Sequence, residues 1–200
     1  MSDHDPEQAL LEIARVLTSC GVRFSLVGGL AVSVRAEVRF TRDVDVAIDV
    51  TDDAAVEALV SKLRNFGYRI VALASHDECH RLATVRLLSK LGVVVDLIVA
   101  TCGIENEIVR AAIAEQFGDG EEVPVARAED LLAMKILSMT DRRLQDRIDA
   151  RNLLTLAQCD VETVRGKLKR IEALGFHRGQ DLQSKLESVI VDAAGMQSST

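Results

Sequence analysis

The chain has 200 residues, 48% hydrophobic, 28% charged and only 3% aromatic, with 24 Lys and Arg against 31 Asp and Glu for a net charge of −7. So apolar a composition, with two prolines, excludes disordered, collagen-like and disulfide-scaffold classes. The excess of acid argues against a nucleic-acid coat, whose affinity comes from neutralising phosphates, and the few aromatics leave little for base stacking. No run reaches the roughly 18 apolar residues of a membrane span, and the acidic start MSDHDPEQ has neither the basic nor the apolar region of a signal peptide. The expectation is a soluble cytoplasmic protein with no membrane partner.

Residues 6–19 place Leu10, Leu11, Ile13, Ala14 and Leu17 at helical spacing, with Gly21 as a stop. A short strand is expected over 22–27, running into Gly28-Gly29, and a helix over 30–37. From Asp43, DVDVAIDV alternates strictly, with Asp43, Asp45 and Ala47 on one face and Val44, Val46 and Ile48 on the other. Asp52 and Asp53 are placed to cap a helix over 54–66 that Gly67 closes. Strands follow over 68–74, 81–88 and 92–100; the last is apolar on both faces apart from Asp96, the pattern of a strand covered on both sides. A helix over about 104–116, a Gly/Asp turn and a short extended piece over 122–126 come next, and then helices over 129–140, 143–158, 161–174 and 179–194.

Strands mixed with helices first and helices last predict an α/β (α+β) fold: a small mixed sheet with flanking helices, followed by a C-terminal helical bundle. The seam is expected near Val125, giving a core over 1–125 and a helical subdomain over 126–200. Charge follows the same division, with 11 acids and 5 bases in residues 1–60 and 4 acids and 6 bases in 161–190. The four cysteines (Cys20, Cys79, Cys102 and Cys159) form no C-x-x-C pair and read as reduced, mostly buried thiols. The run His76-Asp77-Glu78-Cys79-His80 invites a zinc hypothesis, but it lacks a second ligand pair, so a polar connection between two strands is the favoured reading.

The chemistry concentrates in residues 27–49. A strand that enters Gly28-Gly29 and a helix that begins there suit an anion, because the glycines let a ligand approach and the helix start presents N–H donors. Thirteen residues separate Gly29 from Asp43, and Asp43 and Asp45 project side by side from one strand face. Two carboxylates so placed repel each other, a cost that a divalent cation between them removes. Asp96 adds a third acid; its alternative is a structural pair with Arg86 of the neighbouring strand. Three carboxylates with a phosphate-binding turn describe a two-metal phosphoryl-transfer site.

The pattern hGG–x13–DhDh, followed by a hydrophobic strand with a third Asp, resembles the nucleotidyltransferases of the DNA polymerase β-like superfamily. Arg39-x-Thr41-x-Asp43-x-Asp45 is similar to the R-x-T-x-D-h-D form of its AbiEii-type and minimal nucleotidyltransferase branch. A second block, residues 129–154, resembles that branch's later motif through Lys135, Arg142 (or Arg143), Asp146 and Asp149. The superfamily often has Gly-Ser where this chain has Gly28-Gly29, so backbone N–H groups must replace a hydroxyl.

The resemblance implies a nucleotidyltransferase that moves an NMP from an NTP to a hydroxyl with two Mg2+ ions and releases pyrophosphate. Asp43, Asp45 and Asp96 would hold metal, Gly28 and Gly29 would cradle the triphosphate, and Arg39, Thr41 and Lys135 would position its oxygens. The implied acceptor is a tRNA 3′ end or a protein hydroxyl in a toxin–antitoxin setting, with a cognate antitoxin as partner, or else an aminoglycoside- or lincosamide-like antibiotic. A non-catalytic regulatory or antitoxin protein on the same scaffold is the alternative of another class. Lys135 falls inside the apolar arc of its helix, so it must snorkel out or meet an anion. Methionine fits that arc, so Lys135→Met is expected to keep the fold and abolish transfer. Asp146 and Asp149 read equally as site residues or as surface partners of Arg142 and Arg143.

Overall fold

A computed structural model describes residues 5–50, 52–75, 82–140 and 142–197. The chain forms two compact units: residues up to Leu30 together with Arg39–Ala126, and Ala31–Val38 together with residues from Arg127 on. The His76–His80 run lies outside the described residues.

Among the described residues, the first unit holds a mixed sheet of seven strands: β1 (Phe24–Val27), β2 (Asp43–Ile48), β3 (Arg69–Ser75), β4 (Leu82–Leu88), β5 (Val94–Ile98), β6 (Ile113–Phe117) and β7 (Glu121–Val125). Their order is β3-β4-β5-β2-β1-β7-β6. β2 runs parallel to β5 and β1 parallel to β7, while the other neighbouring pairs are antiparallel. β5 lies inside the sheet between β4 and β2, as its two-sided apolar pattern requires, with Val95 and Leu97 fully buried.

Helix α1 (Pro6–Ser19) buries Ala9, Leu10, Ile13, Ala14 and Leu17, and it is capped by Asp5, whose carboxylate accepts from the Glu7 and Gln8 amides. Helix α2 (Gly28–Arg35) starts two residues earlier than expected, directly from β1. Helix α3 (Asp53–Asn65) is capped by Asp52, which accepts from the Ala55 amide at 2.8 Å, and Gly67 leaves it at φ +93°. Helix α4 (Glu105–Ala111) and α1 both pack against β2.

The helix expected over 104–116 ends at Ala111, and Ile113–Phe117 is instead a strand. Ala112 is extended, at φ −60° and ψ 147°. Gly118 and Gly120, both at positive φ, reverse the chain so that β6 pairs antiparallel with β7. Ala, Glu and Gln favour helix only by tenths of a kcal/mol per residue, so strand pairing at the sheet margin outweighs them. β7 in turn docks alongside β1, Leu26 opposite Val125.

In the second unit, α5 (Ala128–Ser138) contacts α6 (Leu144–Leu156), α7 (Val161–Ala173) and α8 (Leu182–Gln197). Leu131, Leu132, Ile136, Leu153, Val164, Leu168, Ile171, Leu182, Leu186 and Val189 fill its core. Charged side chains are built into that interior. Asp130, fully buried in the first turn of α5, meets the Lys167 ammonium of α7 at 2.6 Å. Lys185 of α8 donates to the Met139 carbonyl at the end of α5, one of the acceptors that a helix terminus leaves open. Among the described residues, no helix is long and apolar enough to cross a membrane.

Cys102 and Cys159 are buried free thiols, and Cys20 is half-buried. Burial, reinforced by the charge of Glu129, pushes the Cys159 thiol up to about 12. Because the thiolate is the nucleophile, Cys159 is expected to resist iodoacetamide at pH 8 in the folded protein and to alkylate on denaturation. Mass spectrometry of the labelled peptide decides this, and prompt labelling without denaturant contradicts it.

Candidate active site

The register of the first unit sets Arg86, Asp96 and Asp45 in one row across three adjacent strands. Asp45 of β2 lies opposite Asp96 of β5, and Asp96 lies opposite Arg86 of β4. Neighbouring strands stand about 4.8 Å apart, and residues in register point to the same face of a sheet. Asp43, two residues before Asp45, shares that face, while Val44, Val46 and Ile48 are buried on the other. The alternation read from the sequence thus delivers two half-buried carboxylates from β2 and one buried carboxylate from β5.

The glycine turn closes over this row. Gly28 follows Val27, whose register partner is Asp45. It sits at φ +65°, and a Cβ placed on it would lie 1.9 Å from Asp45 Oδ2 and 2.6 Å from Asp45 Cβ. A Cβ on Gly29 would meet Arg39 Nη2 at 2.6 Å and Thr41 Oγ1 at 2.9 Å. The two glycines therefore vacate the space that Asp45, Arg39 and Thr41 occupy. Thr41 Oγ1 also lies 3.4 Å from the Asp43 carbonyl, tying the approach segment to the start of β2. Gly28, Gly29, Arg39, Thr41, Asp43 and Asp45 form one constellation around the first turn of α2.

Asp96 is engaged differently. Both its oxygens accept from Arg86, Nε at 2.9 Å and Nη2 at 2.6 Å, in the bidentate fork favoured by guanidinium and carboxylate. The hydrogen bond to Asp96, then its charge, hold the Arg86 guanidinium more firmly protonated than usual, with Asp43 and Asp45 adding to the effect. Among the described residues, no three His, Cys, Asp or Glu side chains are gathered so that they could hold a metal ion. Two neighbouring carboxylates on one face, with Asp45 seated in the space that Gly28 leaves, have the donor chemistry for a divalent cation on Asp43 and Asp45; the third ligand of the expected set is tied to Arg86.

The loop after β5 is pinned by a buried carboxylate that sequence reasoning did not single out. Glu105, 3% exposed, accepts from the Thr101 amide at 2.5 Å, the Thr101 hydroxyl at 2.9 Å and the Cys102 amide at 2.8 Å. Its signal in the sequence is only an acid at the start of a helix.

The second block resolves into a cluster within the helical unit. Lys135 Nζ lies 2.8 Å from Asp146 Oδ1 and 2.8 Å from Asp149 Oδ2, with Lys135 12% and Asp149 1% exposed. Gln145 donates to the other Asp149 oxygen at 2.8 Å. Asp146 and Asp149 are thus buried partners of Lys135, and Asp146 also pairs with Arg143. Arg143 reaches Asp146 only at 3.6 Å, and Arg142 is exposed. The anion that Lys135 meets is this carboxylate pair, which corrects the expectation that the position would accept methionine without loss of stability.

Solved structures share the architecture. An antigenic nucleotidyltransferase-like protein from Paracoccidioides brasiliensis is 19% identical with a TM-score of 0.52, and the alignment covers 94% of each chain. ANT(2″)-Ia in complex with adenylyl-2″-tobramycin is 12% identical with a TM-score of 0.53, over 84% of this chain and 97% of that one. The solution structure of the antibiotic-resistance factor ANT(2″)-Ia is 15% identical with a TM-score of 0.51, over 86% and 96%. At these identities the likeness establishes a nucleotidyltransferase fold. No curated protein matches the sequence. Residues 10–195 match the family model described as nucleotidyl transferase AbiEii toxin of a type IV toxin–antitoxin system, and the chain belongs to that family.

Proposed function

We propose that the protein transfers an NMP from an NTP to a hydroxyl acceptor, releasing pyrophosphate, as the toxin of a toxin–antitoxin pair. One observation carries the reading: Asp43 and Asp45 stand side by side on β2 while Asp45, Arg39 and Thr41 pack into the space left by Gly28 and Gly29 at a helix start. Mg2+, when bound, would offset the phosphate charge and polarise the reacting phosphoryl group. Asp43 and Asp45 are the residues to hold it. The first turn of α2 presents backbone amides and a positive dipole end to the triphosphate, and Arg39 and Thr41 add donors beside it. Residues 1–125 act as the catalytic core and 126–200 as a helical subdomain. Toxin-family membership favours a cellular acceptor, a tRNA 3′ end or a protein hydroxyl, over an antibiotic.

The test is incubation with α-labelled NTPs and Mg2+ in the presence of bulk tRNA, protein lysate or aminoglycoside. Label is expected in one acceptor class, with Asp43→Asn/Asp45→Asn lowering transfer by at least about 1,000-fold, on the order of the loss of a preorganised charge-stabilising group. Transfer by the double variant at the parent's rate, or no Mg2+-dependent NTP binding in either protein, sinks the reading.

A further inference from the structure

We infer that Arg86 is a gate on the third carboxylate: it neutralises Asp96 in the metal-free protein, and a divalent cation must displace it to gain Asp96 as a ligand. The inference rests on the metal reading proposed above. Its ground is that both Asp96 oxygens are engaged by Arg86 while Asp96 sits in register beside Asp45. β5, which carries Asp96, lies one strand spacing, about 4.8 Å, from β2, which carries Asp43 and Asp45. A guanidinium and a divalent cation cannot share that carboxylate without repulsion.

Which partner yields follows from exposure. The Arg86 side chain is 47% exposed and that of Asp96 only 9%. Arg86 can swing into water with its charge solvated, whereas Asp96 cannot leave the sheet. The charge count points the same way. Three carboxylates on one face carry about three negative charges; Arg86 removes one, and its departure restores the full attraction for a cation. Arg86 is therefore a positioning residue that sets when Asp96 becomes available, with no contact to the reacting atoms.

The opposite role has a different sign. Each carboxylate oxygen keeps a lone pair after accepting from Arg86, so if Arg86 merely fixed Asp96 as a ready ligand, its removal would weaken cation binding. Mn2+ binding to the NTP-free protein, measured by calorimetry, separates the two. Arg86→Met is expected to bind Mn2+ about five- to tenfold more tightly, the release of a partly exposed ion pair, and the gain is expected to vanish in Arg86→Met/Asp96→Asn. The melting temperature of Arg86→Met should fall in EDTA, because Asp96 is left unpaired, and Mn2+ should raise it by more than in the parent.

Equal or weaker Mn2+ binding by Arg86→Met overturns the inference, as does a gain that survives Asp96→Asn. If Arg86→Met does not fold, Arg86→Lys, which loses the fork but keeps the charge, is expected to show a smaller gain in affinity; no gain overturns it. Parent-like Mn2+ affinity in Asp43→Asn/Asp45→Asn removes the metal reading, and the gate with it. Loss of Mn2+ in that variant with no effect at Arg86 removes the gate alone.

Discussion

Replacing Lys135 by methionine is expected to lower the thermal midpoint by about 10 °C, from a loss of roughly 3–5 kcal/mol when one partner of a buried ion pair is removed and a few degrees per kcal/mol at this chain length. The ammonium lies 2.8 Å from one oxygen of Asp146 and 2.8 Å from one oxygen of Asp149. Asp149 is 1% exposed, and without Lys135 its carboxylate loses the opposite charge that balances it, while the Gln145 amide stays. Methionine supplies the apolar stem and none of the compensation. The cost is that of desolvated charge, which packing cannot offset. The measurement is circular-dichroism melting of the variant beside Lys135→Met/Asp146→Asn/Asp149→Asn. Removing the uncompensated charges should restore part of the loss, because replacing a whole buried ion network is far milder than halving it. A Lys135→Met midpoint within about 2 °C of the parent, against the scale expected for such a pair, shows that the cluster is solvated.

The particular residues explain what was legible in the sequence. Alternation in DVDVAI fixed both the strand and the face of each aspartate, because a period of two leaves one choice once Val44, Val46 and Ile48 are buried. The pairing of Asp96 with Arg86 was one of two open readings, since a lone acid in an apolar strand needs a partner and the next strand offered one. Asp146 and Asp149 stayed between two readings, site residues or surface partners of the arginines, because α6 inverts the usual polarity: Leu144 and Ile148 are 69% and 41% exposed while the two aspartates are buried. A hydrophobic periodicity argument puts such acids on the wet face, and only the position of Lys135 on α5 reverses it. The β6 strand escaped for a related reason. Its residues carry no strand pattern of their own and become a strand through pairing with β7, a contact made after the Gly118-to-Gly120 reversal. The glycine turn was legible as a turn, but its closest steric demand, that of Asp45 on Gly28, is a side chain seventeen positions away, which no local pattern encodes.

That demand makes Gly28→Ala the glycine substitution with the larger expected effect on the site. Alanine at φ +65° costs about 1–2 kcal/mol in backbone strain alone. Its Cβ would also fall 1.9 Å from Asp45 Oδ2, 2.5 Å from Cγ and 2.6 Å from Cβ, so rotating the carboxylate does not relieve the clash. Asp45 cannot retreat with its backbone, because β2 is held by Val27 on one side and by Asp96 on the other. The strand or the turn must shift by an ångström or so, and a displacement of that size in a catalytic group costs on the order of 100-fold in rate. Gly29→Ala meets only the ends of Arg39 and Thr41, at 2.6 and 2.9 Å, which can swing aside. It is expected to raise KM for NTP with kcat nearly kept, because the groups it moves are those assigned to phosphate binding. Steady-state transfer kinetics and Mn2+ titration of both variants make the comparison. A Gly28→Ala protein with the parent's Mn2+ affinity and kcat shows that Asp45 needs no cleared space, and the glycine then serves the turn alone.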